Sequence, residues 1–118
     1  MAELPHIIIA EDEDLVAIAL ASMLESHGFR ITVARNGKEA LEAEARDAAD
    51  MLLTDMRMPV LGGHELIRLL RQRRPDLPVV VMTGYSESLP REEPGRTVVL
   101  SKPFQVESLF RAIRSVGI

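Results

Sequence analysis

Short apolar runs alternate with longer amphipathic stretches along this chain. His6-Ile7-Ile8-Ile9-Ala10 is β-branched and unbroken by charge, the pattern of a strand buried on both faces. In residues 15–27 the side chains Val16, Leu20, Met23, Leu24 and His27 share one helical stripe, which Gly28 closes as a C-terminal cap. Residues 29–34 predict a second strand, Asn36-Gly37 a turn, and residues 38–48 an Ala- and Glu-rich helix with a weak apolar face. Met51-Leu52-Leu53-Thr54 predicts a third strand. Gly62-Gly63 then leads into a helix over about residues 64–73, stopped by Pro75, with Arg71, Arg73 and Arg74 solvated at its negative dipole end. Val79-Val80-Val81-Met82 and Thr97-Val98-Val99-Leu100 predict two more strands. Between them, residues 85–96 hold Pro90, Pro94 and Gly95 and have room for at most a turn or two of helix. A last helix, about residues 106–116, turns Leu109, Phe110 and Ile113 inward.

Five strands alternating with helices are too few for a closed eight-stranded barrel. They predict an α/β domain, an open parallel sheet covered on both faces, uninterrupted by linker, repeat or low-complexity tract. With 118 residues the chain suits one domain, 1–118. Its 14 Lys and Arg against 18 Asp and Glu lack the basic excess that binding a phosphate backbone requires, so no direct nucleic-acid partner is expected. Cysteine is absent, which excludes a disulfide framework and a thiolate metal site and agrees with a cytoplasmic location. The apolar patch in MAELPHIIIAEDED is too short and too soon acidic for a signal peptide or membrane span; a soluble protein is expected.

In open parallel sheets the functional crevice lies beyond the carboxyl ends of the strands, where strand order reverses. The first predicted strand ends in Glu11-Asp12-Glu13-Asp14, the third in Asp55, the fourth in Thr83-Gly84 and the fifth in Ser101-Lys102-Pro103-Phe104. Singly, each has an ordinary explanation. The acidic run could equally cap the first helix, Thr83 could satisfy a turn, and Lys102 could be a solvated strand-end charge. Asp55 is harder to explain that way, because an aspartate following three inward-packing residues risks desolvation unless a cation stands beside it. Together the groups suit a phosphoryl-acceptor site. Crowded carboxylates raise one another's pKa unless a hard, oxygen-seeking cation such as Mg²⁺ neutralises them. Charge that builds on phosphoryl oxygens during attack can be met by that metal, a hydroxyl and an ammonium, the roles open to Thr83 and Lys102.

The segments IIIAEDED, LLTDMRMP followed by GG, VVVMTGY and SKPF, in this order and at these spacings, resemble the receiver domain of two-component response regulators over essentially the whole chain. The resemblance implies a flavodoxin-like sheet of order 2-1-3-4-5, with the fourth helix short or irregular here. It implies that Asp55 takes a phosphoryl group from a phosphohistidine on a sensor histidine kinase or histidine phosphotransfer protein. Asp12 and Asp55 would bind Mg²⁺ directly, Glu11 through water, and Arg57 by its backbone carbonyl. Thr83 and Lys102 would bind the phosphoryl oxygens, and the Lys102-Pro103 bond is similar to the family's cis peptide. Such a domain is a phosphoacceptor rather than an enzyme proper, assists its own phosphorylation and dephosphorylation, and changes its binding to a downstream protein target when phosphorylated.

The switch region of the resemblance falls on Gly84, Tyr85 and Val99. Many family members carry an aromatic residue where this chain has Val99, so the usual inward swing of a ring has no counterpart, and output is expected to run through residues 85–96. Thr-Gly-Tyr with a non-aromatic switch position resembles receivers found in stand-alone regulators and hybrid kinases. Two rival readings come from other classes. A haloacid-dehalogenase-type phosphatase would need a second aspartate where Arg57 stands. A non-phosphorylated interaction module of the same fold is the stronger rival. A transcription factor is not expected, since the chain stops just after its last helix. His6, His27 and His64 are scattered and suggest neither a metal cluster nor a phosphohistidine.

Overall fold

Alternate residues of a strand face opposite sides of its sheet, so a strand without a polar face needs a cover on each side. The structure, a computed structural model describing residues 4–84, 90–93 and 95–118, supplies both covers. Strands β1 (His6–Ala10), β3 (Met51–Asp55) and β4 (Val79–Thr83) form its buried centre, with β2 (Arg30–Ala34) and β5 (Thr97–Ser101) at the edges. All pairings are parallel and the order is β2-β1-β3-β4-β5. Helices α2 (Gly37–Arg46) and α3 (Gly63–Arg73) cover one face, where Ala40, Ala43, Leu66 and Leu70 meet Ile8, Leu52, Val79 and Val81. Helices α1 (Asp14–Glu25) and α4 (Val106–Ser115) cover the other, where Leu20, Leu24, Leu109 and Ile113 meet Ile7, Ile9, Leu53, Val80 and Met82. Among the described residues no helix lies between β4 and β5, and none is long and apolar enough to cross a membrane. Residues 85–89 and 94 lie outside the described set.

Most predicted elements fall within two residues of their observed bounds, and the departures have local causes. Asn36-Gly37 is not a free turn: the Asn36 side chain accepts the Glu39 N–H at 2.9 Å as an N-cap, and Gly37 is the first helical residue. His27 lies beyond the end of α1, exposed, its ring tilted against Phe110 at 4.4 Å between centroids. The buried stripe of α1 is Ala17, Leu20 and Leu24, with Val16 and Met23 half-buried beside it. Gly28 has φ +90°, the left-handed conformation expected of a residue that closes a helix.

The arginines ending α3 are anchors rather than a solvated end. Arg71 donates to the backbone carbonyls of Leu77 and Arg96, and Arg74 to the carboxylate of Glu44 at 2.6 Å and to the Ala49 carbonyl. Glu44 is buried, takes a second contact from Arg73 at 3.5 Å and accepts the Ala49 N–H at 3.1 Å. A glutamate on the inner side of α2 thus ties that helix to α3.

Candidate functional site

Two ladders continue one residue past their strands and so place charged side chains at the carboxyl rim of the sheet. The Glu11 N–H donates to the Ala34 carbonyl at 3.0 Å, extending β1 along β2, and the Lys102 N–H donates to the Thr83 carbonyl at 2.6 Å, extending β5 along β4. Glu11 is consequently 0% exposed. Its Oε2 accepts the Glu13 N–H at 3.1 Å, and its Oε1 lies 3.4 Å from the Lys102 ammonium. Asp55 ends β3 between them. Its Oδ1 accepts the Met56 N–H at 2.7 Å and, more weakly, the Arg57 N–H at 3.4 Å, while Oδ2 lies 3.0 Å from Lys102 Nζ.

The carboxylates of Glu11, Asp12 and Asp55 each offer an oxygen within 4.8 Å of the others. Burial pushes the Glu11 carboxyl above its ordinary value, helped by the Asp55 charge and opposed by the Glu13 N–H and Lys102. For Lys102, burial works against the charged form, but the hydrogen bond and charge of Asp55, with those of Glu11, outweigh it and hold the ammonium above its ordinary pKa. Three hard oxygen donors around one partly compensated charge fit a divalent cation of the Mg²⁺ type, which favours carboxylates and retained water.

Above these groups opens a crevice of about 750 Å³. Its lining includes the polar groups of Asp12, Asp55, Thr83 and Lys102 and the apolar side chains of Val16, Met56, Pro103 and Phe104. Arg57 and Gly84 also line it, and Thr83 is 4% exposed. The Lys102–Pro103 peptide is cis. Glu11, Asp12, Glu13, Asp55, Thr83 and Lys102 therefore gather at one rim, whereas Asp14 begins α1 and pairs with Arg35 at 3.4 Å. Of the expected switch region, Gly84 is at the crevice, Val99 is half-buried against the α2–α3 side of the core, and Tyr85 lies outside the described residues. The apolar lining and the amide donors of Glu13, Met56 and Arg57 were not foreseen; a backbone N–H leaves no mark in a sequence, whereas Val16 reads there only as core.

The sequence profile of the response regulator receiver domain matches residues 7–114. The chain belongs to that family. Response regulator MprA of Mycobacterium leprae is 37% identical over 114 residues, which are 94% of this chain and 50% of that protein. A Bacillus subtilis protein named as an uncharacterized transcriptional regulatory protein, YkoG, is 35% identical over 93% of this chain and 50% of its own length. The receiver domain thus spans about half the length of the curated relatives it matches. Among solved structures, a response regulator receiver protein from Sinorhizobium medicae superposes with a TM-score of 0.82 at 28% identity, covering 95% of this chain and 93% of that one. This is a receiver domain of two-component signalling, a phosphoacceptor class whose members work with sensor kinases.

Proposed function

We propose that Asp55 is the phosphoacceptor and that it takes its phosphoryl group from a phosphohistidine of a sensor histidine kinase or a histidine phosphotransfer protein. The observation that carries this reading is the placement of the Asp55 carboxylate at the crevice floor, 3.0 Å from Lys102 and within reach of Glu11 and Asp12. A carboxylate oxygen forms a bond to phosphorus as the phosphorus–nitrogen bond of the donor breaks, its electron pair returning to the imidazole. Glu11, Asp12, Asp55 and the Arg57 carbonyl would hold Mg²⁺, which when bound supplies positive charge to the equatorial phosphoryl oxygens. Lys102 meets one of those oxygens with its ammonium and Thr83 another with its hydroxyl, both groups being fixed at the rim before any donor arrives. Val16, Pro103 and Phe104 line the same crevice and offer the donor's imidazole apolar contact. The same groups serve hydrolysis of the aspartyl phosphate, so the domain assists both its own phosphorylation and its own reset. Phosphorylation changes the binding of a downstream protein through the backbone after Thr83.

Incubation with acetyl phosphate and Mg²⁺, followed by intact-mass measurement, tests the assignment. A single phosphoryl adduct is expected for the wild type and none for Asp55→Asn. An adduct that persists in the mutant removes Asp55 from the role, and none in the wild type even with a cognate kinase leaves a non-phosphorylated interaction module of the same fold.

A further inference from the structure

We infer that Thr54 is a positioning residue for the acceptor carboxylate, its hydroxyl holding the Asp55–Met56 peptide in the orientation that leaves Asp55 Oδ2 facing the crevice. The inference rests on the acceptor reading of Asp55.

Thr54 is 0% exposed in the centre of the sheet, level with Ala10 of β1 and Val81 of β4. Packing alone would be met there by valine, which has the same shape and no polar atom to bury. The hydroxyl instead donates to the carbonyl oxygen of Asp55 at 2.8 Å. That carbonyl belongs to the peptide whose N–H, on Met56, donates to Asp55 Oδ1 at 2.7 Å. One rigid plane therefore carries the Thr54 bond on its oxygen and the acceptor side chain on its nitrogen.

The first turn of α3 closes the other side of the same peptide. A Cβ on Gly63 would lie 2.5 Å from the Asp55 carbonyl oxygen and 2.9 Å from Met56 Cα, and the Gly63 N–H donates to the Met56 carbonyl at 3.1 Å. The helix limits how far the peptide can move, and the hydroxyl selects its rotation within that limit. With Oδ1 held by the backbone, the carboxylate cannot turn, and Oδ2 stays 3.0 Å from Lys102. Losing the hydroxyl frees the plane to rock, and a small misplacement of a reacting atom is costly in rate.

Valine and serine variants separate positioning from packing, because Thr54→Val keeps the volume and loses the hydroxyl, whereas Thr54→Ser does the reverse. Two measurements apply to each folded variant: the rate constant for phosphorylation by acetyl phosphate at saturating Mg²⁺, and the Met56 amide proton shift without either reagent. Thr54→Val should be about tenfold slower with an unchanged or raised thermal midpoint, and its Met56 proton should move upfield as the bond to Oδ1 loosens. Thr54→Ser should return both rate and shift to near wild type despite a lower midpoint. Rates that follow stability instead, with valine like wild type and serine slow, overturn the inference, as does a Met56 shift indifferent to valine. If the wild type forms no adduct at all, the acceptor reading fails; the amide shift then still decides whether Thr54 orients the Asp55 carboxylate.

Discussion

Lys102 stands between two carboxylates, and its removal exposes what each contributes. Glu11 is buried, so losing its cation leaves a charge with little solvent to screen it. Because the lysine side chain is 28% exposed, Lys102→Met should cost the metal-free protein less than the about 3–5 kcal/mol of a fully buried broken pair. The same variant should gain more thermal stability from added Mg²⁺ than the wild type does, since the ion then supplies the compensating charge that Lys102 gave both carboxylates; melts with and without the ion check both. A second prediction concerns Val60, at φ 70° in the loop after β3, where the Leu61 N–H bonds back to the Pro59 carbonyl at 2.7 Å in a γ-turn. A β-branched residue is strained there, and at 75% exposure it has little burial to lose. Val60→Asn should stabilise the fold by about 1 kcal/mol, read as a higher urea midpoint at unchanged slope. Glu11, Asp55, Thr83 and Lys102 were legible in the sequence because charged or hydroxyl side chains ended apolar runs. Val60 was not, since its residue type argues against the conformation it adopts. Nor was the hydroxyl of Thr54, which reads as one more β-branched strand residue.

At the scale of elements, the strands were legible because β-branched runs bounded by glycine, proline or acid have few other interpretations. The helix ends and helix contacts were less so, because they depend on what the chain meets elsewhere. Asn36 caps a helix instead of making a free turn, and the Gly37 N–H beside it docks at 3.0 Å on the Leu61 carbonyl of a distant loop. Glu44 reads as a solvated glutamate until Arg73 and Arg74 arrive from α3. Glu44→Ala should cost about 2–3 kcal/mol, since it strands the Ala49 N–H and two guanidinium contacts, and denaturant titration would show it. At the amino end of the sheet, the hydrogen bond from Arg30 holds the Asp47 carboxyl below its ordinary value of 3.8, against the opposing effect of burial and with help from the charges of His6 and Arg30. A depressed carboxyl contributes stability above its unfolded pKa, and that stability is lost as pH falls through the folded one. The thermal midpoint of wild type should therefore exceed that of Asp47→Asn above pH 3.8, with the gap closing in more acidic buffer and shrinking in high salt.

Over the whole molecule, one sheet collects at its carboxyl rim groups that the chain holds far apart. Mg²⁺ binding to carboxylates that only the fold brings together should stabilise by mass action, so melting temperature should climb with Mg²⁺ for the wild type and much less for Asp12→Ala. Equal climbs would place the ion elsewhere. The five-stranded order was within reach of the sequence because its motifs resemble a known family; the chain path between β4 and β5 was not, because Pro90, Pro94 and Gly95 say only what that stretch avoids. The contact between Lys102 and Glu11 spans 91 residues of sequence. During synthesis Asp55 therefore leaves the ribosome well before the lysine that completes its surroundings, and, on the proposed acceptor role of Asp55, a chain stopped at residue 96 should take up no phosphoryl group from acetyl phosphate. On that reading, competence to receive a phosphoryl group is acquired only once Lys102 has been made, so copies cut short before it stay silent in the circuit they are being made for.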